Sequence, residues 1–173
     1  MPVLNRFAEM LPEISAWRRD IHANPELRFE EHRTAAFVAS KLKQFGCDEI
    51  VTGFGETGVV GVINGKSVGS GKTIGFRADM DALPIQEATN LPHASTVPGK
   101  MHACGHDGHT SMLLGAAKYL AEPRNFDGRV ALAFQPAADG GGGARAMTDA
   151  GPRDPEGRGA IHGAANHAGI PNG

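Results

Sequence analysis

The apolar residues of this chain change their spacing along its length, from helical to strand-like and back. An i, i+3, i+7 stripe over residues 14–21 predicts an amphipathic helix, which Asn24-Pro25 would end. A second stripe predicts a helix over about residues 30–45, with Gly46 as its C-cap. The amino-terminal quarter of the chain is therefore expected to be helical.

Strand-like patterns begin after these helices. Short β-rich runs at residues 58–63 and 73–76 are separated by a polar stretch that predicts a turn. Residues 77–108 lack regular spacing but are rich in Pro, Gly, His and Asp, a composition typical of functional loops. Helical spacing returns over residues 109–121, and the apolar run 130–134 predicts a buried strand. This alternation predicts an α/β fold with parallel or mixed strands.

Composition excludes several classes of protein. A chain of 173 residues has the size of one domain. Lys and Arg number 17 against 19 Asp and Glu, so there is no basic field to attract nucleic acid. Charged residues interrupt the amino-terminal segment, and no apolar run reaches the ~18 residues of a membrane span, so we expect no membrane partner. Cys47 and Cys104 lie far apart, which favours reduced thiols and the cytoplasm.

The densest group of metal-ligand side chains is the segment MHACGHDGH, residues 101–109. Thiolate and imidazole groups suit Zn²⁺ and related divalent ions. Cys104 and His106 form the best pair, because the single glycine between them allows a tight bend. For His102 and His109, helix capping or ordinary hydrogen bonding remains the alternative.

Carboxylates follow both predicted strands of this region. Asp79 and Asp81 come after the run 73–76, where α/β sheets usually place active sites, and could accept hydrogen bonds from metal-bound imidazoles. The alternative is a pair of turn-capping aspartates. Asp139 follows the run 130–134 and precedes four glycines that match neither a dinucleotide fingerprint nor a P-loop, so phosphate binding is disfavoured.

Several segments together resemble the hippurate hydrolase branch of the M20 metallopeptidase and amidohydrolase family. They are RRDIH at 18–22, PEL at 25–27, FRADMDALP at 76–84, MHACGHDGH at 101–109 and FQPA at 134–137. The resemblance implies that residues 1–173 are the N-terminal part of a phosphorylase/hydrolase-like mixed-sheet α/β catalytic domain with helices on both faces. It also implies that the inserted lid domain, through which full-length relatives would form homo-oligomers, is absent from this chain.

The same resemblance implies an activity and a cofactor. It predicts a metal-dependent amidohydrolase that cleaves the amide bond of small N-acyl amino acids such as hippurate. Two divalent metal ions, Mn, Zn, Co or Ni, would be the cofactors.

Residue roles also follow from the resemblance. Cys104 and His106 match metal ligands, with the thiolate at the bridging position, and Asp81 matches the acidic catalytic residue of the first motif. In the family, two Glu follow FQPA, a general base and then a ligand; here these positions hold Ala138 and Asp139. A further ligand His of the family falls on Ala165.

These replacements predict an impaired site. A methyl group cannot take a proton from an attacking water, whereas the shorter Asp139 can still bind a metal. We therefore expect this chain alone to be nearly inactive. The alternatives are a non-catalytic metal-binding module or a degenerate fragment, and a nucleotide-binding protein that relies on residues 140–143.

Overall fold

The computed structural model describes residues 2–138, 142, 143, 145 and 159–163. They form three helices and five strands, which comprise α1 (Pro2–Ala23), α2 (His32–Phe45), β1 (Glu49–Phe54), β2 (Gly58–Asn64), β3 (Thr73–Asp79), α3 (His106–Ala121), β4 (Arg129–Gln135) and β5 (Gly159–Gly163). The predicted helices and strands are present, and β1 and β5 are additional strands.

The strands form one mixed sheet in the order β1-β2-β4-β3-β5. β2 is antiparallel to β1 and β4, whereas β3 is parallel to β4 and β5. β4 therefore lies between β2 and β3, which the polar turn connects but which do not pair with each other. The expected mixed-sheet α/β fold is confirmed.

One apolar core joins the helices to the sheet. Alternate residues of β4 point into this core. Their paired residues on β2 and β3 lie on the same face of the sheet. Burying each large side chain contributes about 1.5–3 kcal/mol relative to leaving it exposed. The described helices share this core. Core residues include Trp17, Val38, Leu42, Val59, Ile63, Leu114, Leu132 and Phe134.

The ends of the elements decide where the site lies. Gly46 has φ +80° and its N–H bonds to the carbonyls of Leu42 and Lys43, so α2 ends at the predicted C-cap. β3 extends to Asp79, three residues beyond the predicted end. α3 begins at His106, three residues before the predicted start, because Gly105 adopts the left-handed conformation (φ +82°) just ahead of it.

Strand β1 was missed because it lies at the edge of the sheet. Its residues are mostly exposed, and its register shifts between Thr52 and Phe54, where Gly53 has φ +84°. Such a strand lacks the alternation of a half-buried one. Within the described ranges, no helix has both the length and the apolar character needed to cross a bilayer.

Candidate metal centre

The candidate site lies where the carboxyl ends of β3 and β4 meet the amino-terminal turn of α3. Because β3 and β4 are parallel, with Asp79 opposite Gln135, their carboxyl ends reach the same edge of the sheet. His106 and His109 are three residues apart on α3 and therefore face the same side. The fold thus brings Asp79, Asp81 and both histidines together.

His106 is oriented by Asp81. Its Nδ1 lies 2.8 Å from the Asp81 carbonyl oxygen and 3.0 Å from Asp81 Oδ1. Because these acceptors occupy Nδ1, the lone pair of the neutral ring is left on Nε2, which lies 3.7 Å from Asp79 Oδ1. A carboxylate on the far nitrogen is how proteins commonly orient a metal-binding imidazole.

Asp79 is held from several sides. Its Oδ1 lies 2.6 Å from His109 Nδ1, and its Oδ2 lies 3.3 Å from Arg77 Nη2. Its carbonyl oxygen accepts a hydrogen bond of 2.8 Å from the Thr110 hydroxyl. These contacts fix the end of β3 against the first turn of α3.

Asp79, His106 and His109 form a donor set that fits a divalent metal. One ligand atom from each lies within 4.8 Å of the others, and all three side chains are buried. One carboxylate and two imidazoles suit Zn²⁺ and other first-row divalent ions. From the sequence, Asp79 was expected to accept a hydrogen bond from a metal-bound imidazole, and His109 was left open between a ligand and a capping or hydrogen-bonding residue. The i, i+3 spacing of the two histidines was the available signal for placing them together.

The two thiols differ in environment. Cys104 is exposed at this edge, two residues before His106, and the left-handed Gly105 makes the bend between them. Cys47 is half-buried, and burial, together with the neighbouring Asp48, raises the pKa of its thiol to about 11. Among the described residues, the group of ligand atoms formed by Asp79, His106 and His109 does not include Cys104, so its role as a ligand stays a prediction.

The predicted positions after β4 are described in part. Ala138 is partly buried in a turn that follows Ala137, a non-glycine residue with φ +49°. Asp139 and Ala165 lie outside the described residues. The structure therefore places Ala138 just beyond the carboxyl end of β4 and does not test the ligand roles of the other two.

A chain of polar contacts beside the centre was not expected. Arg18 Nε donates to Asp107 Oδ2 over 3.0 Å, and the same oxygen lies 2.9 Å from His22 Nδ1. His22 Nε2 is 3.3 Å from Glu87 Oε1. The sequence did carry a signal for this arrangement. Arg18 and His22 are four residues apart in the RRDIH segment, a spacing that places both on one face of a helix.

Burial would raise the pKa of Glu87, but its hydrogen bonds reverse that effect. The Thr89 hydroxyl, the Ser95 N–H and His22 all donate to the carboxylate and lower its pKa to about 2. The group is therefore ionised at neutral pH. It links the loop after β3 to α1.

His102 lies behind the centre in the same region. It is 4% exposed, and neither ring nitrogen has a hydrogen-bond partner among the described residues. Burial lowers its pKa to about 4, so the ring is neutral at neutral pH. His102 lines a cavity of about 650 Å³ whose wall also includes Cys104, Arg18 and Met112.

The fold and the site together define an α/β domain with a candidate divalent-metal centre at the carboxyl edge of its sheet. The family described as Peptidase family M20/M25/M40 matches residues 75–172. This match covers more than half of the chain, so the protein belongs to that family.

Individual relatives agree with this assignment. The chain is 54% identical over 151 residues to hippurate hydrolase of Campylobacter jejuni, covering 87% of this chain and 38% of the relative. It is 50% identical over 135 residues to IAA-amino acid hydrolase ILR1-like 5 of Arabidopsis thaliana, covering 78% and 30%. This chain therefore spans about a third of the length of these relatives.

A solved structure supports the fold. The YXEP protein of Bacillus subtilis, a dinuclear metal binding peptidase from the M20 family, superposes with a TM-score of 0.84 at 42% identity. The match covers 92% of this chain and 44% of the other. Residues of this chain thus correspond to part of a dinuclear metal binding peptidase.

Proposed function

We propose that this chain carries the metal-binding part of an amidohydrolase that cleaves the amide bond of N-acyl amino acids such as hippurate. The observation that carries the proposal is His106, whose Nδ1 is engaged by Asp81 and whose Nε2 faces Asp79. The similarity to hippurate hydrolase supports the substrate class. On this proposal, residues 1–173 correspond to the first part of the catalytic domain.

Several residues of the chain would hold the metal. Asp79, His106 and His109 are candidates because their ligand atoms lie within 4.8 Å of one another. Cys104 is a further candidate, implied by the family resemblance. Asp139 and the position of Ala165 are the further ligand positions implied by the family. The dinuclear centre of the Bacillus subtilis relative supports two divalent ions, for which we propose Mn, Zn, Co or Ni.

The bound metal would polarise the substrate carbonyl and lower the pKa of a bound water toward neutrality. The protein's own contribution is orientation. Asp81 holds the His106 ring in one tautomer, and Arg77, 3.3 Å from Asp79, neutralises part of the negative charge that the carboxylates concentrate there. Both effects keep the donors in place before any substrate arrives.

Proton transfer is the step that this chain lacks. A general base must take a proton from the attacking water and deliver it to the leaving amine. Ala138, which occupies the position of the family's general base, cannot exchange a proton. We therefore propose that hydrolysis by this chain is impaired.

The cavity beside Cys104 suits an acyl group. Its wall includes the apolar side chains of Leu11, Ile14, Leu91 and Met112. Leu11 is 60% exposed and Leu91 48%, so the described residues leave apolar surface uncovered there. A benzoyl or similar acyl group would bury this surface, which favours substrates with an apolar acyl part.

The missing base also favours a second candidate function, a non-catalytic metal-binding module. This alternative predicts metal binding that is unaffected by restoring the base. Both candidates would have a small-molecule or metal partner rather than nucleic acid or membrane, and a cytoplasmic location. Oligomerisation through a lid domain is proposed for the full-length relatives.

The deciding experiment compares the natural chain with Ala138→Glu and Ala138→Gln, each loaded with Mn²⁺, Co²⁺ or Zn²⁺. Gln has the size of Glu but cannot act as a base, so it is the matched control. We expect Ala138→Glu to hydrolyse hippurate at least ~10²-fold faster than the other two. Equal rates in all three would overturn the proton-transfer assignment, and equal rates with tight metal binding would favour the module.

A further inference from the structure

Glu31 is a buried carboxylate that joins two parts of the chain. It is 0% exposed, and its two oxygens accept hydrogen bonds from different elements. The Thr57 hydroxyl, just before β2, donates to Oε2 over 2.5 Å, and the Ala137 N–H, just after β4, donates to Oε1 over 2.9 Å. Burying a carboxylate is costly unless such donors compensate for lost water.

The position of Glu31 in the sequence would suit another role. It is the N-cap residue of α2, but its side chain makes no capping hydrogen bond. Glu26 does this instead, since its carboxylate accepts from the N–H groups of Arg33 and Thr34, both over 2.8 Å. The Glu31 carboxylate is thereby left for the contact with Ala137.

Ala137 needs such an anchor. Its φ of +49° is a left-handed conformation that alanine rarely adopts. Its carbonyl accepts from the Gly143 N–H over 3.2 Å, so the backbone folds back on itself there. A Cβ at Gly143 would lie 1.7 Å from the Pro136 oxygen, so this turn admits no side chain at that position.

We infer that Glu31 is a positioning residue that fixes the backbone at Ala137, directly before positions 138 and 139 of the sequence. The inference rests on the proposed function, because these two positions are those of the family's general base and a metal ligand. The residue acts on the metal centre only through the backbone of Ala137. It therefore differs from Asp81, which contacts His106 directly.

Glutamine is the informative replacement. Gln has the shape of Glu but one acceptor oxygen, so one of the two donors, Thr57 or Ala137, would face an NH₂ group instead. A buried donor without an acceptor destabilises the structure around it. Distant parts of the fold should keep their stability. The matched control is Glu30→Gln, at an exposed neighbour whose carboxylate pairs with Lys100 on the surface.

Amide hydrogen exchange tests the anchor without any metal or substrate. In Glu31→Gln we expect the Ala137 amide to exchange at least ~10-fold faster, while Leu132 in the centre of β4 keeps its protection. Glu30→Gln should change neither. Unchanged exchange at Ala137, or equal acceleration at Ala137 and Leu132, would overturn the inference.

Thr57 provides a second route if Glu31→Gln does not fold. Thr57→Val removes the hydroxyl but keeps the shape, whereas Thr57→Ser keeps the hydroxyl. We expect faster exchange at Ala137 in the valine variant and natural exchange in the serine variant. The reverse order would overturn the inference.

A double-mutant cycle tests the link to the metal centre. We expect Glu31→Gln to weaken Co²⁺ binding about tenfold in the natural chain and not at all in an Asp139→Ala background. Equal weakening in both backgrounds would show a merely structural role. If the natural chain binds no Co²⁺, the proposed function fails, and the exchange experiment still decides whether Glu31 anchors Ala137.

Discussion

Nδ1 of His106 lies 3.0 Å from Oδ1 of Asp81, and both groups are buried. The contact joins the loop after β3 to the first residue of α3, so it depends on the tertiary fold. It selects which ring nitrogen is available to a metal.

Removing this carboxylate should therefore weaken metal binding. We expect Asp81→Ala to raise the Kd for Co²⁺ or Zn²⁺ about 10–100-fold, as loss of a partner behind a ligand histidine usually does. Isothermal titration calorimetry would measure the change. Asp20→Ala, which removes a surface carboxylate paired with Arg33, should leave the Kd unchanged. If both variants bind as the natural chain does, His106 is not a ligand.

The two thiols should react differently with iodoacetamide at neutral pH. Cys104 is exposed and should be alkylated quickly, whereas Cys47 is half-buried with a pKa raised to about 11 and should react slowly. Bound Zn²⁺ should protect Cys104, because a coordinated thiolate is not free to attack. Peptide mass spectrometry would report each site, and Cys104 alkylated equally fast with and without Zn²⁺ would exclude it as a ligand.

Glu87 should make the fold sensitive to acid. Its pKa falls from 4.5 to about 2 in the folded chain, so the unfolded state binds its proton first as pH decreases. The stability it contributes is complete above pH 4.5 and is lost as pH falls toward 2. Urea unfolding from pH 6 to pH 2 should show a weaker acid destabilisation in Glu87→Gln than in the natural chain. The same pH dependence in both would show that Glu87 does not contribute.

Much of the fold followed from local signals in the sequence. The stripes over α1 and α2 and the glycine after Phe45 predicted both helices, because each signal acts within a few residues. The pairing of β2 and β3 with β4 could not be predicted in this way. It depends on which strands share the core, which adjacent residues do not determine.

The candidate site also contains some residues that the sequence indicates and others that only the tertiary fold brings together. Cys104, His106 and Asp81 were found because their spacing or the family resemblance identified them. The role of His109 was left open and Asp79 was expected only as a hydrogen-bond acceptor, since only the tertiary fold brings these two residues within 2.6 Å of each other. The Glu31 contact with Ala137 crosses from α2 to the end of β4, and no spacing in the sequence indicates it.

Gly65, just after β2, fixes how the chain from α3 enters β4. Its N–H bonds to the Gly128 carbonyl over 2.9 Å, and an added Cβ would lie 2.1 Å from the Phe126 oxygen. Backbone at that distance must move, so we expect Gly65→Ala to reduce the free energy of unfolding by about 1–3 kcal/mol. Gly69→Ala is the control, because its Cβ would lie 3.4 Å from the Ser67 hydroxyl, and its effect should stay within about 0.5 kcal/mol. Urea denaturation of both variants would measure the difference, and equal stability would mean that the turn relaxes without cost.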